Sequence, residues 1–212
     1  MEFLLSTGDL YFSSLAFDNE GNIWLYGNNN GIAFWNKSTL TVYNTDNSQL
    51  PTNAVHGIGV DKHGTVWVSL DYKGLLKILN NNWIITPNSE IPGLLEESYL
   101  RGPKIDPDNN LWFEVFHPDT SNILRLDNGN WKYEFPDNTV YSNLFLDSKG
   151  TIWSINRHFD VNVLKYATLK YFHKNSWINF DIGDITGRIF ILNADENTVY
   201  IGTEHGLIEK PR

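Results

Sequence analysis

No cysteine occurs among the 212 residues, which excludes disulfides, thiol redox chemistry and cysteine-based zinc sites together. Long apolar runs are missing too, and none approaches the roughly 20 residues a membrane-spanning helix needs. The start, Met1-Glu-Phe-Leu-Leu-Ser6, has an acid where an export signal needs a basic region. It reads as a cytoplasmic chain, or as one whose signal has been removed. Charge is sparse at 19% of residues, and positive charge is sparser, with 16 Lys and Arg against 25 Asp and Glu. The net charge of −9 disfavours both a nucleic-acid backbone and an anionic membrane surface as partner. Dinucleotide fingerprints, phosphate-cradling glycine loops and Ser-His-Asp motifs are absent. The six histidines lack metal-ligand spacing. Asp106-Pro-Asp-Asn-Asn110 opens like a calcium loop, but His117 stands at its twelfth position and no glycine at its sixth. Neither a metal nor a cofactor is expected.

What the chain has instead is a repeated phrase: an Asp, a tight polar turn, then an apolar strand carrying a large aromatic. Its copies are Asp18-Asn-Glu-Gly-Asn-Ile-Trp24, Asp61-Lys-His-Gly-Thr-Val-Trp67, Asp106-Pro-Asp-Asn-Asn-Leu-Trp112, Asp147-Ser-Lys-Gly-Thr-Ile-Trp153 and a shortened Asp195-Glu-Asn-Thr-Val-Tyr200. Successive aspartates lie 43, 45, 41 and 48 residues apart, about the length of one four-stranded propeller blade. Each repeat reads as four short strands. An inner strand with small residues, such as Ala54-Val-His-Gly-Ile-Gly-Val60, suits crowding around an axis. The aromatic strand follows, then a third strand such as Gly74–Leu79, and then an Asn- and Gly-rich turn. The fourth strand opens with Trp83, Trp131 or Trp177. Where Gly21, Gly64 and Gly150 have no counterpart, Asn109 holds the left-handed turn position.

The predicted fold is therefore all-β: a single five-bladed β-propeller domain over residues 1–212, with four-stranded antiparallel blades. After Tyr200 only two strands' worth of chain remains, while Met1–Thr7 forms an orphan strand. That strand is expected to close the last blade by pairing with residues 207–210, which removes two exposed sheet edges.

The Asp-x-x-Gly-x-apolar-Trp phrase resembles the two-component regulator propeller repeat, whose fuller form continues with Gly-Thr, two variable residues and Gly-Leu. Gly202-Thr-Glu-His-Gly-Leu207 carries that continuation; Gly27, Gly31-Ile32 and Gly74-Leu75 keep parts of it. The resemblance spans the whole chain in diluted form. It implies a bacterial sensor-type propeller placed in the periplasm or outside the cell, of the kind proposed to detect oligosaccharides. Family sensors usually continue into an immunoglobulin-like domain, a membrane helix and a kinase. In the sialidase Asp box the acid stands two residues before the glycine, whereas here it stands three before.

Five aspartates at equivalent turns are structural caps, because a catalytic acid would be unique to one blade. Asn is accordingly expected to replace Asp61 or Asp147 at little cost. Binding residues belong where the repeats differ. Five residues before each aspartate stand Ser13, His56, Arg101, Ser142 and Phe190, and one further along Ser14, Gly57, Gly102, Asn143 and Ile191. His56, Tyr99, Arg101, Tyr141 and Asn143 are the expected ligand contacts. Loops between second and third strands add Arg157, His158, Glu204 and His205, with Tyr72 and His117, and the loop from Pro87 brings Glu96 and Glu97. Arg101 supplies a fixed charge and polar stems among aromatic walls suit a hydroxyl-rich compound. Three readings follow. A non-catalytic module for a carbohydrate or other polar small molecule comes first, and a protein-interaction scaffold using the loop face second. A glycoside hydrolase or lyase comes third, since it needs two flanking carboxylates and the inner strands offer none. No catalytic residue is assigned.

Overall fold

The computed structural model describes residues 11–27, 29–117, 121–134, 141–160, 163–183 and 189–212. Nearly all regular structure is strand, and it forms five antiparallel meanders in chain order. The first sheet is β1 (Ser14–Phe17), β2 (Ile23–Gly27), β3 (Gly31–Trp35) and β4 (Leu40–Tyr43). The second is β5 (Val55–Val60), β6 (Val66–Leu70), β7 (Gly74–Leu79) and β8 (Asn82–Thr86). The third comprises β9 (Tyr99–Ile105), β10 (Leu111–Phe116), β11 (Ser121–Asp127) and β12 (Asn130–Tyr133). The fourth has β13 (Tyr141–Leu146), β14 (Ile152–Asp160), β15 (Val163–His173) and β16 (Ser176–Phe180). The fifth contains three strands among the described residues, β17 (Ile189–Ala194), β18 (Thr198–Thr203) and β19 (Gly206–Pro211). Four-stranded antiparallel sheets repeated in this way fit a β-propeller. The expected closing strand, Met1–Thr7, lies outside the described residues.

The chain packs as two compact units, Met1–Pro103 and Lys104–Arg212, and the boundary falls inside β9. In the first unit, Ile32, Leu50, Val55, Ile58, Val68, Leu70 and Leu76 form a core between the first two sheets. In the second, Trp112, Ile123, Leu144 and Ile152 pack with Phe172 and Trp177. A further cluster joins Trp153, Ile155, Leu169, Leu192, Val199 and Ile201. The buried core is mainly aliphatic, with Trp112, Phe113 and Trp153 as its fully buried rings and the other large rings packed partly buried against it.

The turn residues behave as their chemistry predicts. Asn109 adopts φ 69°, matching the glycines at 76° (Gly21), 78° (Gly64) and 78° (Gly150). The hairpins into β8, β12 and β16 use left-handed pairs: Asn80-Asn81, Asn128-Gly129 and Lys174-Asn175. The small inner-strand residues have a concrete cause at one place. A Cβ on Gly57 would stand 1.9 Å from the carbonyl oxygen of Gly102, so β5 and β9 approach backbone to backbone. Ser69 Oγ donates to that same oxygen at 2.9 Å.

One expectation about loops is corrected. Arg157 and His158 lie within β14, whose pairing with β15 extends from Trp153↔Tyr171 to Asp160↔Val163. The hairpin is longer here than in the other sheets, so the pair is held in the ladder, next to a register shift between His158 and Phe159.

Candidate functional site

The repeated aspartates form a common device. Asp61 Oδ1 accepts the amides of His63 and Thr65, both at 2.9 Å, while Oδ2 accepts the Trp67 indole N–H at 3.0 Å. Asp106 takes the Asn110 amide at 2.9 Å and the Trp112 indole at 2.8 Å. Asp147 takes Lys149, Thr151 and Trp153, and Asp195 takes Asn197, Thr198 and the Tyr200 hydroxyl. In the first repeat Asn22 Nδ2 occupies the second oxygen of Asp18 at 2.9 Å. In four of the five repeats one carboxylate thus caps the turn and anchors the aromatic of the following strand. Burial pushes the Asp61 carboxyl up, but the bonds from Trp67, Thr65 and His63 outweigh it and hold it below its ordinary value. The Asn197 and Thr198 amides likewise lower Asp195. These acids are committed to structure.

The opposite end of the second sheet looks different. There β5 begins and β6 ends, and a register shift between Val55 and Gly57 leaves His56 as the extra residue of a bulge. Bulges re-aim a side chain and recur next to functional sites. His56 Nε2 stands 2.7 Å from Asp71 Oδ1, with both side chains partly exposed. The imidazole stacks on the Tyr99 ring, centroids 4.2 Å apart and planes at 27°. Tyr72, half-exposed at φ 50°, meets the Tyr99 ring edge-on at 5.8 Å. Arg101 is exposed two residues along β9 from Tyr99, and so on the same face of that strand. A polar His–Asp pair, two tyrosine rings and a guanidinium share one end of the first unit. Such a set can stack on a ring and hydrogen-bond its substituents.

Below β9 the loop from Pro87 is built around one buried amide. Asn88 Nδ2 donates to the carbonyls of Leu95, Glu96 and Ser98 at 3.1, 3.3 and 2.7 Å. Ile91 and Leu94 bury beside it, while Glu96 and Glu97 are exposed.

Of the expected contacts, His56, Tyr99 and Arg101 fall in this first-unit group. Asp71 was not anticipated. Four residues after the strand aromatic the other repeats carry Asn28, Phe116, Arg157 and Glu204, so the position varies throughout and nothing in the repeat singled Asp71 out. In the second unit, Tyr141 pairs with Arg157 by register and Asn143 with Ile155. Glu204 and His205 form the exposed β18–β19 turn, with His205 Nε2 3.7 Å from Glu204 Oε1. Among the described residues no group of three or more His, Asp or Glu is placed to hold a metal ion, and no helix is long and apolar enough to cross a membrane.

No family model and no curated protein sequence matches the chain. Solved structures do resemble it. The extracellular domains assigned to two hybrid two-component systems of B. thetaiotaomicron align with TM-scores of 0.70 and 0.67 at 15% and 19% identity. These alignments cover 95% and 99% of this chain, which spans only 28% and 29% of those chains. Virginiamycin B lyase from Staphylococcus aureus aligns at TM-score 0.65 and 16% identity, covering 100% of this chain and 73% of its own. A gluconolactonase from Xanthomonas campestris aligns at 0.62 and 10%, covering 95% and 72%. At these identities the likeness is one of fold, and that fold is shared by sensor domains and enzymes.

Proposed function

We propose that the chain is a non-catalytic, sensor-type ligand-binding module on a five-bladed propeller closed by its N-terminal strand. Its ligand is a carbohydrate or another polar small molecule, met outside the cytoplasm. The observation that carries this reading is the His56–Asp71 pair stacked against Tyr99 and flanked by Tyr72 and Arg101. Rings supply stacking area, the His–Asp pair supplies a donor and acceptors, and Arg101 suits a carboxylate or ring hydroxyls. The two extracellular sensor domains of like fold support the sensor class. Tyr141, Asn143, Arg157, His158, Glu204 and His205 remain proposed contacts, each to be tested by its own alanine variant. The lyase and lactonase of like fold motivate an enzyme control in the test.

A thermal-shift screen of oligosaccharides, uronic acids and small carboxylates, followed by calorimetry, tests the proposal. Tyr72→Ala and Arg101→Ala should each weaken the binder about tenfold or more while leaving the melting temperature near that of the parent. A binder indifferent to both variants would place the site elsewhere, and turnover of any panel compound would replace the sensor reading with an enzymatic one.

A further inference from the structure

At the other end of the first unit, where the Asp18 and Asp61 turns lie, a cleft of about 480 Å³ opens between the first two sheets. Its wall is aromatic and continuous across both sheets. Trp24 lies 4.7 Å from Phe34 and 6.2 Å from Tyr43 between centroids, the latter nearly parallel at 21°. Tyr43 in turn meets Trp83 of β8 at 5.5 Å. None of these four rings is fully buried, so each presents some face or edge to solvent. The rim is polar. Asn19 and Glu20 come from the first turn, His63 from the second, and Asn80 and Asn81 from the β7–β8 hairpin. Asn19 Nδ2 donates to the carbonyl of Lys62 at 3.1 Å and ties the two Asp turns together along that rim. The side-chain amides of Asn80 and Asn81 make no hydrogen bond among the described residues, which leaves two donor–acceptor groups beside the ring wall.

The electrostatics narrow the ligand. Two carboxylates, Asp18 and Glu20, line the cleft, and no lysine or arginine does. An anionic compound would face two carboxylates against one nearby cation, Lys37, whose Nζ is already held by the Glu20 carbonyl, whereas a neutral polyhydroxylated ring meets a stacking surface, amides and acceptors. The equivalent cleft in the second unit shows that this is not a property of the repeat. That cleft, of about 560 Å³, is lined by Arg125, Lys149 and Lys174 among acids, with Phe172 as its one aromatic ring.

We propose that the cleft between the first two sheets binds a neutral pyranose residue, stacked on the Trp24–Tyr43–Trp83 wall and hydrogen-bonded by Asn80, Asn81 and Glu20. This site is distinct from the one built on His56. Register separates them: Val55 pairs with Leu70 at the His56 end of the β5–β6 hairpin, and Val60 with Val66 at the Asp61 end. The preference also differs, because the His56 end carries Arg101 and accommodates a carboxylated ligand.

Indole N–H resonances give a local readout. Methyl glucopyranoside, galactopyranoside and mannopyranoside are titrated into the ¹⁵N-labelled protein to about 10 mM, ten times a millimolar Kd. At least one should shift the Trp24 and Trp83 indole signals, while methyl glucuronide should not. Asn81→Gly keeps the left-handed φ of 62° and removes the amide, and should weaken binding about fivefold. Trp83→Leu should abolish it, with unchanged Trp112 and Trp153 signals reporting an intact second unit. Tyr72→Ala, at the far end of the sheet, should leave the titration as it was. The proposal is overturned if no neutral glycoside shifts Trp24 or Trp83. It is equally overturned if the glucuronide binds as well, or if Asn81→Gly binds like the parent.

Discussion

Trp153 donates its indole N–H to Oδ2 of Asp147 at 2.8 Å, and the Arg212 guanidinium reaches that same oxygen at 2.8 Å. Oδ1 meanwhile accepts the amides of Lys149 and Thr151. All four partners are donors, so the site requires two acceptor oxygens and not merely a turn-forming side chain. The expectation that Asn substitutes cheaply therefore fails on physical grounds. Whichever way the amide points, its NH₂ faces donors. Asp147→Asn should cost about 2–3 kcal/mol, because the aspartate side chain is fully buried and two donors lose their acceptor. A chain of this size should then melt roughly 4–12 °C lower. Differential scanning calorimetry checks it, and an unchanged melting temperature would show that the Trp–Asp bond contributes nothing.

Acid stability follows from the same device. Asp18, Asp61, Asp127 and Asp195 all have folded-state values below the ordinary 3.8. Their contribution is full above the unfolded value and is lost as pH falls through the depressed folded ones. Glu134 runs the other way. Burial raises it above 4.5 despite Arg125 at 2.7 Å, so its ionised form opposes folding and lowering the pH towards 4.5 relieves that opposition. Urea unfolding from pH 7 to pH 3 should show near-constant or slightly rising stability down to about pH 4.5, then a decline. A steep loss beginning above pH 5 would contradict these assignments.

Gly57→Ala tests the contact between inner strands. The added methyl would fall 1.9 Å from the Gly102 carbonyl oxygen, and backbone on both sides has little freedom to retreat. Overpacking of this kind should cost about 3 kcal/mol. Gly64→Ala is the comparison: its Cβ meets nothing within 4 Å, and only the φ of 78° opposes it, at about 1 kcal/mol. Equal penalties in chemical denaturation would mean that β5 and β9 are not in close contact.

Asn88→Ala removes three hydrogen bonds at once from a residue only 5% exposed. A loss of about 2–3 kcal/mol is expected. Hydrogen exchange should quicken through residues 91–98 first. Because Tyr99 begins directly after this loop, affinity at the His56 end should fall with it.

Much of the architecture was legible in the chain. The Asp-turn-aromatic spacing, the left-handed Asn109 and the Trp-led fourth strands each depend on contacts a few residues long, and local chemistry states them without ambiguity. The candidate site was legible only in part. His56 and Arg101 stood out by breaking the repeat, but Asp71 lies fifteen residues from His56 and pairs with it across a bulge that no spacing rule encodes. Arg157 and His158 were misplaced for a related reason, since how far a hairpin extends is set by its ladder and not by the repeat length.

By itself the sequence determined the repeat, the turn type at each aspartate and the order of strands, because these depend on periodicity and on the φ preferences of single residues. Tertiary structure alone decided that Asp147 must serve a tryptophan and an arginine at once, that His56 leans on Tyr99, and that Trp24, Tyr43 and Trp83 make one wall. Those relationships join residues on different strands, turns and chain ends. Strand register and the packing of one sheet on the next bring such atoms within reach, and both are settled by the fold as a whole.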